Sequence, residues 1–243
     1  MSYTLDELTK RCDSFYINNA KKDEPYIDFF KRITRDSDRN YLIRFGSTMD
    51  LGISSLVNSE WNPLNEEYYI RQIQIGSLAS HLAENKVLDF ASGVGLTVLS
   101  TAMVDKNHLK QIYSIEPDSN CIAVRNQIQK HFKMNDRIMN FKNISHFKKT
   151  VNLNEIKHTD LLITIAPHLT KYYKEKQIEG NKIISISKDL GFSSFLYIPC
   201  NCCKEQNSTI PKLAKETYHS KIIYSNKGDI VGLIRHPLLY NQK

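Results

Sequence analysis

No stretch limits the fold of this chain more than Val87-Leu-Asp-Phe-Ala-Ser-Gly-Val-Gly-Leu96. An apolar strand pattern carries one carboxylate, Asp89, and runs into a turn with glycines at positions 93 and 95, after which Leu96 opens a helical pattern. A second strand pattern ends in Tyr113-Ser-Ile-Glu-Pro-Asp118, with a carboxylate, Glu116, at its tip. Neighbouring strands joined through a helix lie parallel, because the crossover returns the chain to the end at which it started. The run is therefore a βαβ unit, and a chain built on it is an α/β protein.

The residue types at the turn say what such a unit can hold. Glycine reaches positive φ without strain and leaves no Cβ between the backbone and a ligand. Asp89 puts charge where a buried strand is otherwise apolar, which suits a cationic or hydroxyl-bearing group. Glu116 stands where an acid takes both hydroxyls of a ribose. These features read as a nucleoside site, and two kinds of cofactor share the geometry. A dinucleotide wants G-x-G-x-x-G, whose third glycine lets helix and strand pack closely. Here Val98 holds that third place, and Ala91 stands where the tighter pattern begins, giving Asp-x-Ala-x-Gly-x-Gly.

With Asp89 at its head, this pattern resembles motif I of the class I S-adenosylmethionine-dependent methyltransferases. The resemblance spans residues 68 to 236. It implies a Rossmann-like, mostly parallel sheet with a C-terminal antiparallel hairpin, S-adenosyl-L-methionine as cofactor, and methyl transfer as the reaction. It also implies roles for residues. Asp89, Ala91, Ser92, Gly93, Gly95 and Leu96 line the cofactor, Glu116 and Pro117 meet its ribose, and Asn143 and Ile144 lie near its adenine. Pro117-Asp118 through Ala123 and Asn126 resembles the start of the family's next helix. A nicotinamide or flavin site, and a turn that is merely tight, are the competing readings of the same glycines.

At 243 residues the chain exceeds the usual size of one domain. It divides into an N-terminal helical cap, residues 1–67, and a cofactor-binding domain, residues 68–243. Met1 to Asp13 is charged throughout, unlike a signal peptide, and no apolar run approaches the ~20 residues of a membrane span. A cytoplasmic protein without membrane contact is expected. The five cysteines, an odd number with Cys200, Cys202 and Cys203 crowded together, do not read as a disulfide framework. They also lack the paired spacing of a zinc site, and no metal is expected.

An excess of 33 Lys and Arg over 26 Asp and Glu gives a net charge of +7, which raises the prior for an anionic partner. The cations are dispersed, however. Their densest interval, Arg125 to Lys149, reads as a helix, a strand and a connecting loop that present a solvated basic face, without the stacking aromatics of strong nucleic-acid binders. Nucleic acid stays open as a partner but is not favoured over a small-molecule substrate.

Residues 1 to 67 read as helices and loops, with Leu5, Leu8 and Cys12 on one helical face and Tyr26, Phe29, Phe30 and Ile33 on another. Ile75, Leu78, Ala79 and Leu82 continue at helical period into a first strand, Lys86 to Phe90. Strands then alternate with helices: Gln111 to Glu116, Arg137 to Phe141, Asp160 to Ile165 and Ser194 to Pro199, with helices reaching Val104 and Phe132 and covering Leu169 to Gln177. Ser220-Lys-Ile-Ile-Tyr-Ser and Ile230-Val-Gly-Leu-Ile-Arg-His are joined by a turn too short for a parallel crossover, so they form an antiparallel hairpin.

Ligands of such sheets bind beyond the carboxyl ends of the strands. After the fourth strand come Pro167 and His168, and the resemblance turns that tip toward the methyl group. Methyl transfer from a sulfonium is an in-line displacement, helped by a general base when the acceptor is a hydroxyl or an ammonium. His168 is the candidate base, with Pro167 and Tyr172 as candidate substrate contacts. Tyr173, and Tyr41, Trp61, Tyr68 and Tyr69 in the leader, offer further aromatic surface. Thr164-Ile-Ala-Pro-His168 departs from the Asn-Pro-Pro-Tyr of enzymes that methylate amino groups of adenine or glutamine, matching it only at Pro167. The expectation is a small-molecule methyltransferase. Aminocarboxypropyl transfer of the nicotianamine-synthase kind, nucleic-acid methylation and cofactor binding without catalysis are the alternatives.

Overall fold

The computed structural model describes residues 3–4, 7–8, 19–24, 66–93, 95–105, 108–131, 133–134, 136–165, 179–199, 204–217, 219–224, 228 and 230–239. In chain order these form β1 (Tyr3–Thr4), α1 (Glu66–Leu82), β2 (Lys86–Phe90), α2 (Leu96–Val104), β3 (Gln111–Ile115), α3 (Ser119–His131), β4 (Ile138–Phe141) and α4 (Ile144–Thr150). There follow β5 (Leu161–Ile165), α5 (Glu179–Asp189), β6 (Ser194–Ile198), α6 (Lys204–Glu216), β7 (Ser220–Tyr224) and β8 (Ile230–Arg235).

The strands make one sheet in the order β1-β7-β8-β6-β5-β2-β3-β4. β2 is paired in parallel on both sides, to β3 through Leu88 and Tyr113 and to β5 through Leu88 and Leu162. From β2 the chain moves outward to β3 and β4, then crosses back to β5 on the other flank. That reversal opens a crevice at the carboxyl ends of β2 and β5. β8 runs antiparallel between β6 and β7, as the short connection requires.

Central strands buried on both faces read as continuous apolar runs, and the period-two geometry of a strand divides them between two cores. Val87, Leu161 and Ile163 face a core shared with Leu78 and Leu82 of α1 and Leu99 of α2. Leu88 and Leu162 face the opposite core, with Phe147 of α4, Ile183 of α5 and Ile210 of α6. There Phe147 packs edge to face on both Tyr113 and Phe141, at 5.3 Å and 5.1 Å between ring centres.

α1 meets α2 through small residues. Thr101 Oγ1 donates to the Gly76 carbonyl at 3.1 Å, and a Cβ on Gly76 would overlap Ser100 Oγ and the Thr97 carbonyl oxygen. Alanine normally stabilises a helix interior over glycine. Here overpacking reverses the sign: Gly76→Ala is expected to destabilise by about 1–3 kcal/mol. Thermal denaturation should show the melting temperature falling by roughly 2–10 °C, and a rise would contradict this packing.

The structure differs from the sequence expectations in four places. Tyr3–Thr4, within a leader expected to hold helices and loops, is a strand parallel to β7, with Tyr3 opposite Ile223. Thr4 and Glu7 then form a reciprocal capping box, the Thr4 N–H donating to Glu7 Oε2 at 2.8 Å and the Glu7 N–H to Thr4 Oγ1 at 3.1 Å. The segment after β4, read as a connecting loop, contains α4, because Asn143 Oδ1 caps it by accepting from the His146 N–H at 2.8 Å and Phe147 is buried beneath it. α5 and α6 were not anticipated, although the parallel step from β5 to β6 needs a crossover, and α6 accommodates Pro211 in its interior. The fourth concerns Arg125, described below with the site. The leader from residue 25 to 65 and the helix expected over Leu169 to Gln177 lie outside the described residues.

Candidate functional site

β2 delivers Asp89 to the crevice, and the chain leaves the strand through a turn with an unusual backbone. Ala91, Gly93 and Gly95 have φ of 56°, 53° and 79°. Positive φ costs an L-residue about 1–2 kcal/mol, so Ala91 is held against its preference by the contacts around it. Two backbone bonds do this: the Ser92 N–H donates to the Ile115 carbonyl at 3.2 Å, and the Gly95 N–H to the Ser92 carbonyl at 2.8 Å. Leu96, buried, begins α2.

Gly95, the N-cap residue of α2, has no side chain to satisfy the helix's first N–H groups. Asp89 serves instead, accepting from the Val98 N–H. Its carboxyl is pushed up to about 7 by burial, which outweighs the opposing effects of Arg125 and this hydrogen bond, while Glu116 adds to the rise.

Glu116 follows β3 and is joined to the turn. Its Oε2 accepts from the Gly93 N–H at 2.7 Å and its Oε1 from the Asp118 N–H at 2.9 Å, so two backbone amides orient the carboxylate. Each carboxylate oxygen keeps a further lone pair. A Cβ on Gly93 would meet no atom within 4 Å, so space lies open over the turn at the residue that Glu116 grips. An adenosyl group fits this arrangement: a hydroxyl-accepting acid, exposed backbone beside it and no side chain between.

Arg125 is the residue at this site that sequence reading missed. It was placed at the head of a solvated basic face, yet it is fully buried. From α3 its Nη1 donates to Ser92 Oγ at 2.5 Å and to the Gly93 carbonyl at 3.2 Å, and Ser92 Oγ in turn lies 2.6 Å from Ser114 Oγ of β3. Among the described side chains the buried face of α3 carries Cys121, Arg125 and Gln129, spaced by four, and nothing in the local pattern separates Arg125 from the exposed cations that follow it. The one available signal was chemical, since two inward carboxylates call for a cation. Elsewhere in the basic interval Lys130, Lys133, Lys142, Lys148 and Lys149 face solvent, while Arg137 is partly buried and donates to the Ala102 carbonyl.

Asp89, Ala91, Ser92, Gly93, Gly95, Leu96 and Glu116 thus come together at the crevice. Pro117 is exposed just past Glu116, Asn143 is exposed with its Oδ1 engaged in capping α4, and Ile144 is half-buried. Pro167, His168, Tyr172, Cys200, Cys202 and Cys203 lie outside the described residues.

No family model matches the sequence, and no curated protein matches it. Solved structures do. The O-methyltransferase from Bacillus cereus, crystallised in complex with SAH, superposes with a TM-score of 0.51 at 11% identity, over 83% of this chain and 90% of that one. An inferred O-methyltransferase from Klebsiella pneumoniae gives a TM-score of 0.50 at 9% identity, over 84% of this chain and 91% of that one. Together with the parallel sheet, its reversal at β2 and the inserted antiparallel strand, this likeness defines the chain's architecture. It is the Rossmann-like fold of class I methyltransferases.

Proposed function

We propose that the chain is an S-adenosylmethionine-dependent methyltransferase acting on a small molecule. The observation that carries this reading is the junction of Gly93 and Glu116: an oriented carboxylate and an open glycine backbone meeting at the reversal point of the sheet. The complex of the Bacillus cereus neighbour with SAH supports the choice of cofactor, and both neighbours support methyl transfer. No helix among the described residues is long and apolar enough to cross a membrane.

In this reading Glu116 accepts the ribose hydroxyls through its remaining lone pairs. Ala91 to Leu96 support the amino-acid side of the cofactor, with Asp89 behind them, and Pro117, Asn143 and Ile144 border the adenine. Pro167, His168 and Tyr172 are assigned to the substrate, with His168 holding the acceptor's proton. When bound, the cofactor supplies a sulfonium-activated methyl group. The chain's own task is to hold the acceptor in line and keep water away.

Calorimetric titration with S-adenosylmethionine, S-adenosylhomocysteine and NAD tests the site, and product analysis tests the chemistry. The sulfonium compound and its product should bind while NAD does not, and turnover with a pool of small acceptors should release S-adenosylhomocysteine. Occupation by NAD alone would refute the cofactor assignment. Release of methylthioadenosine would replace methyl transfer with aminocarboxypropyl transfer, and turnover confined to polynucleotides would replace the substrate class.

A further inference from the structure

Arg125 is an expensive way to fill the space between α3 and the turn. A buried guanidinium loses its hydration, and its Nε and Nη2 have no hydrogen-bond partner among the described residues. Burial accordingly pushes its pKa down, although Asp89 and Glu116 hold it up. Charged clusters of this kind are often less stable than a hydrophobic residue of the same volume. Methionine would pack α3 against the turn at lower cost, so packing does not account for the arginine.

Its contacts account for it better. The Nη1 bonds to Ser92 Oγ and the Gly93 carbonyl hold the turn from below, on the strand side of the same residue whose N–H is taken by Glu116. Gly93 is therefore fixed at both ends of its backbone, the carbonyl by Arg125 and the amide by Glu116. The stem of the arginine also explains the second glycine: a Cβ on Gly95 would collide with Arg125 Cδ and come within 3.0 Å of Val98 Cγ1. In charge, the guanidinium is the positive group facing Asp89 from α3, and Glu116 is the negative group facing it from the tip of β3. With all three ionised the cluster carries a single net negative charge.

We propose that Arg125 is a positioning residue of the cofactor site, fixing the backbone of the Ser92–Gly93 turn from beneath and balancing the two carboxylates, so that it sets where in pH the preference for a cationic sulfonium over its neutral thioether product rises. The inference rests on the cofactor reading above and adds a determinant to it. Without the guanidinium, Asp89 and Glu116 face each other unbalanced. Asp89 then retains its proton to higher pH; Glu116 alone already favours the cationic ligand, and that preference rises further only once Asp89 ionises.

The test compares wild type, Arg125→Met, Arg125→Lys and Ser187→Ala, the last a control that removes a buried hydrogen bond to the Phe192 carbonyl ahead of β6, at the end of the sheet opposite the crevice. Each is titrated with S-adenosylmethionine and S-adenosylhomocysteine from pH 6 to 9, with circular dichroism and melting temperature to establish folding. Arg125→Met should lose about fivefold or more in affinity for the neutral thioether, the equivalent of one hydrogen-bonded anchor. The pH at which sulfonium preference rises should move upward by about one unit. Arg125→Lys, keeping the charge but not the planar fork, should restore the wild-type pH midpoint while leaving the affinity loss. Ser187→Ala should lower the melting temperature and change neither reading. A folded Arg125→Met with wild-type affinity and an unmoved midpoint would overturn the proposal. Should Arg125→Met not fold, Arg125→Lys with undiminished affinity would overturn it equally. Failure of the wild type to bind either compound would strike the cofactor reading instead, and this inference with it.

Discussion

Glu116→Ala should weaken binding of both S-adenosylmethionine and S-adenosylhomocysteine by about tenfold or more in calorimetric titration, since each hydrogen bond to a charged acceptor contributes about 1.5–3 kcal/mol. Two losses combine. The ribose acceptor disappears, and so does the group that holds the Gly93 and Asp118 amides at 2.7 Å and 2.9 Å. Glu116→Gln separates them, because its amide oxygen still accepts from one amide while the charge is gone. Gly93→Val should produce a loss of similar size by another route. Its cause is not collision, since space is open around that position, but backbone conformation: at φ 53° a β-branched residue is strained. The amide then turns away from Glu116. Unchanged affinity in both variants would remove the nucleoside from this crevice.

The second large effect concerns pH and Asp89. Its folded-state pKa, about 7, lies above the 3.8 of a free aspartate side chain, which the unfolded chain approaches, so the native state binds the extra proton between those values. The stabilisation this gives is complete below the unfolded pKa and is lost as pH rises through the folded one. Asp89→Asn keeps an acceptor for the Val98 N–H but cannot ionise. Relative to wild type it should gain on the order of 3 kcal/mol of stability between pH 5 and pH 8. The melting-temperature difference between variant and wild type, followed across that range, checks it, and a constant difference would contradict a buried, ionising Asp89. Titrations near pH 7 in buffers of different ionisation enthalpy should also show proton release on binding the cationic sulfonium, and none in Asp89→Asn.

The parts of this molecule that announced themselves in the sequence did so through local pattern. β2 ends where it was expected, at Phe90, because an apolar strand met a glycine-bearing turn, and the antiparallel hairpin followed from the shortness of one connection. The site's acids were legible for the same reason, each closing an apolar strand. What stayed hidden depended on tertiary context. α4 is a short helix whose single buried anchor, Phe147, shows no period of its own. α6 carries Pro211 and a polar first half, features that argue against a helix until a crossover is required. The pairing of Tyr3–Thr4 with β7 joins segments from distant parts of the chain, which no local spacing encodes. Arg125 was the largest omission, because a buried cation on a mainly polar helix looks the same in sequence as an exposed one. Only the fold brings it under a turn more than thirty positions earlier, at Ser92.

The margins of the sheet bear on how such a protein behaves at high concentration. One margin is a two-residue strand, Tyr3–Thr4, laid against a bulged neighbour, and the other is the four-residue β4. Unpaired margins are where foreign chains add on and fibrils start, and brevity and irregularity are the usual defences. The long hydrophobic strands here are all interior, so among the described residues there is little backbone on which a second molecule could zip itself.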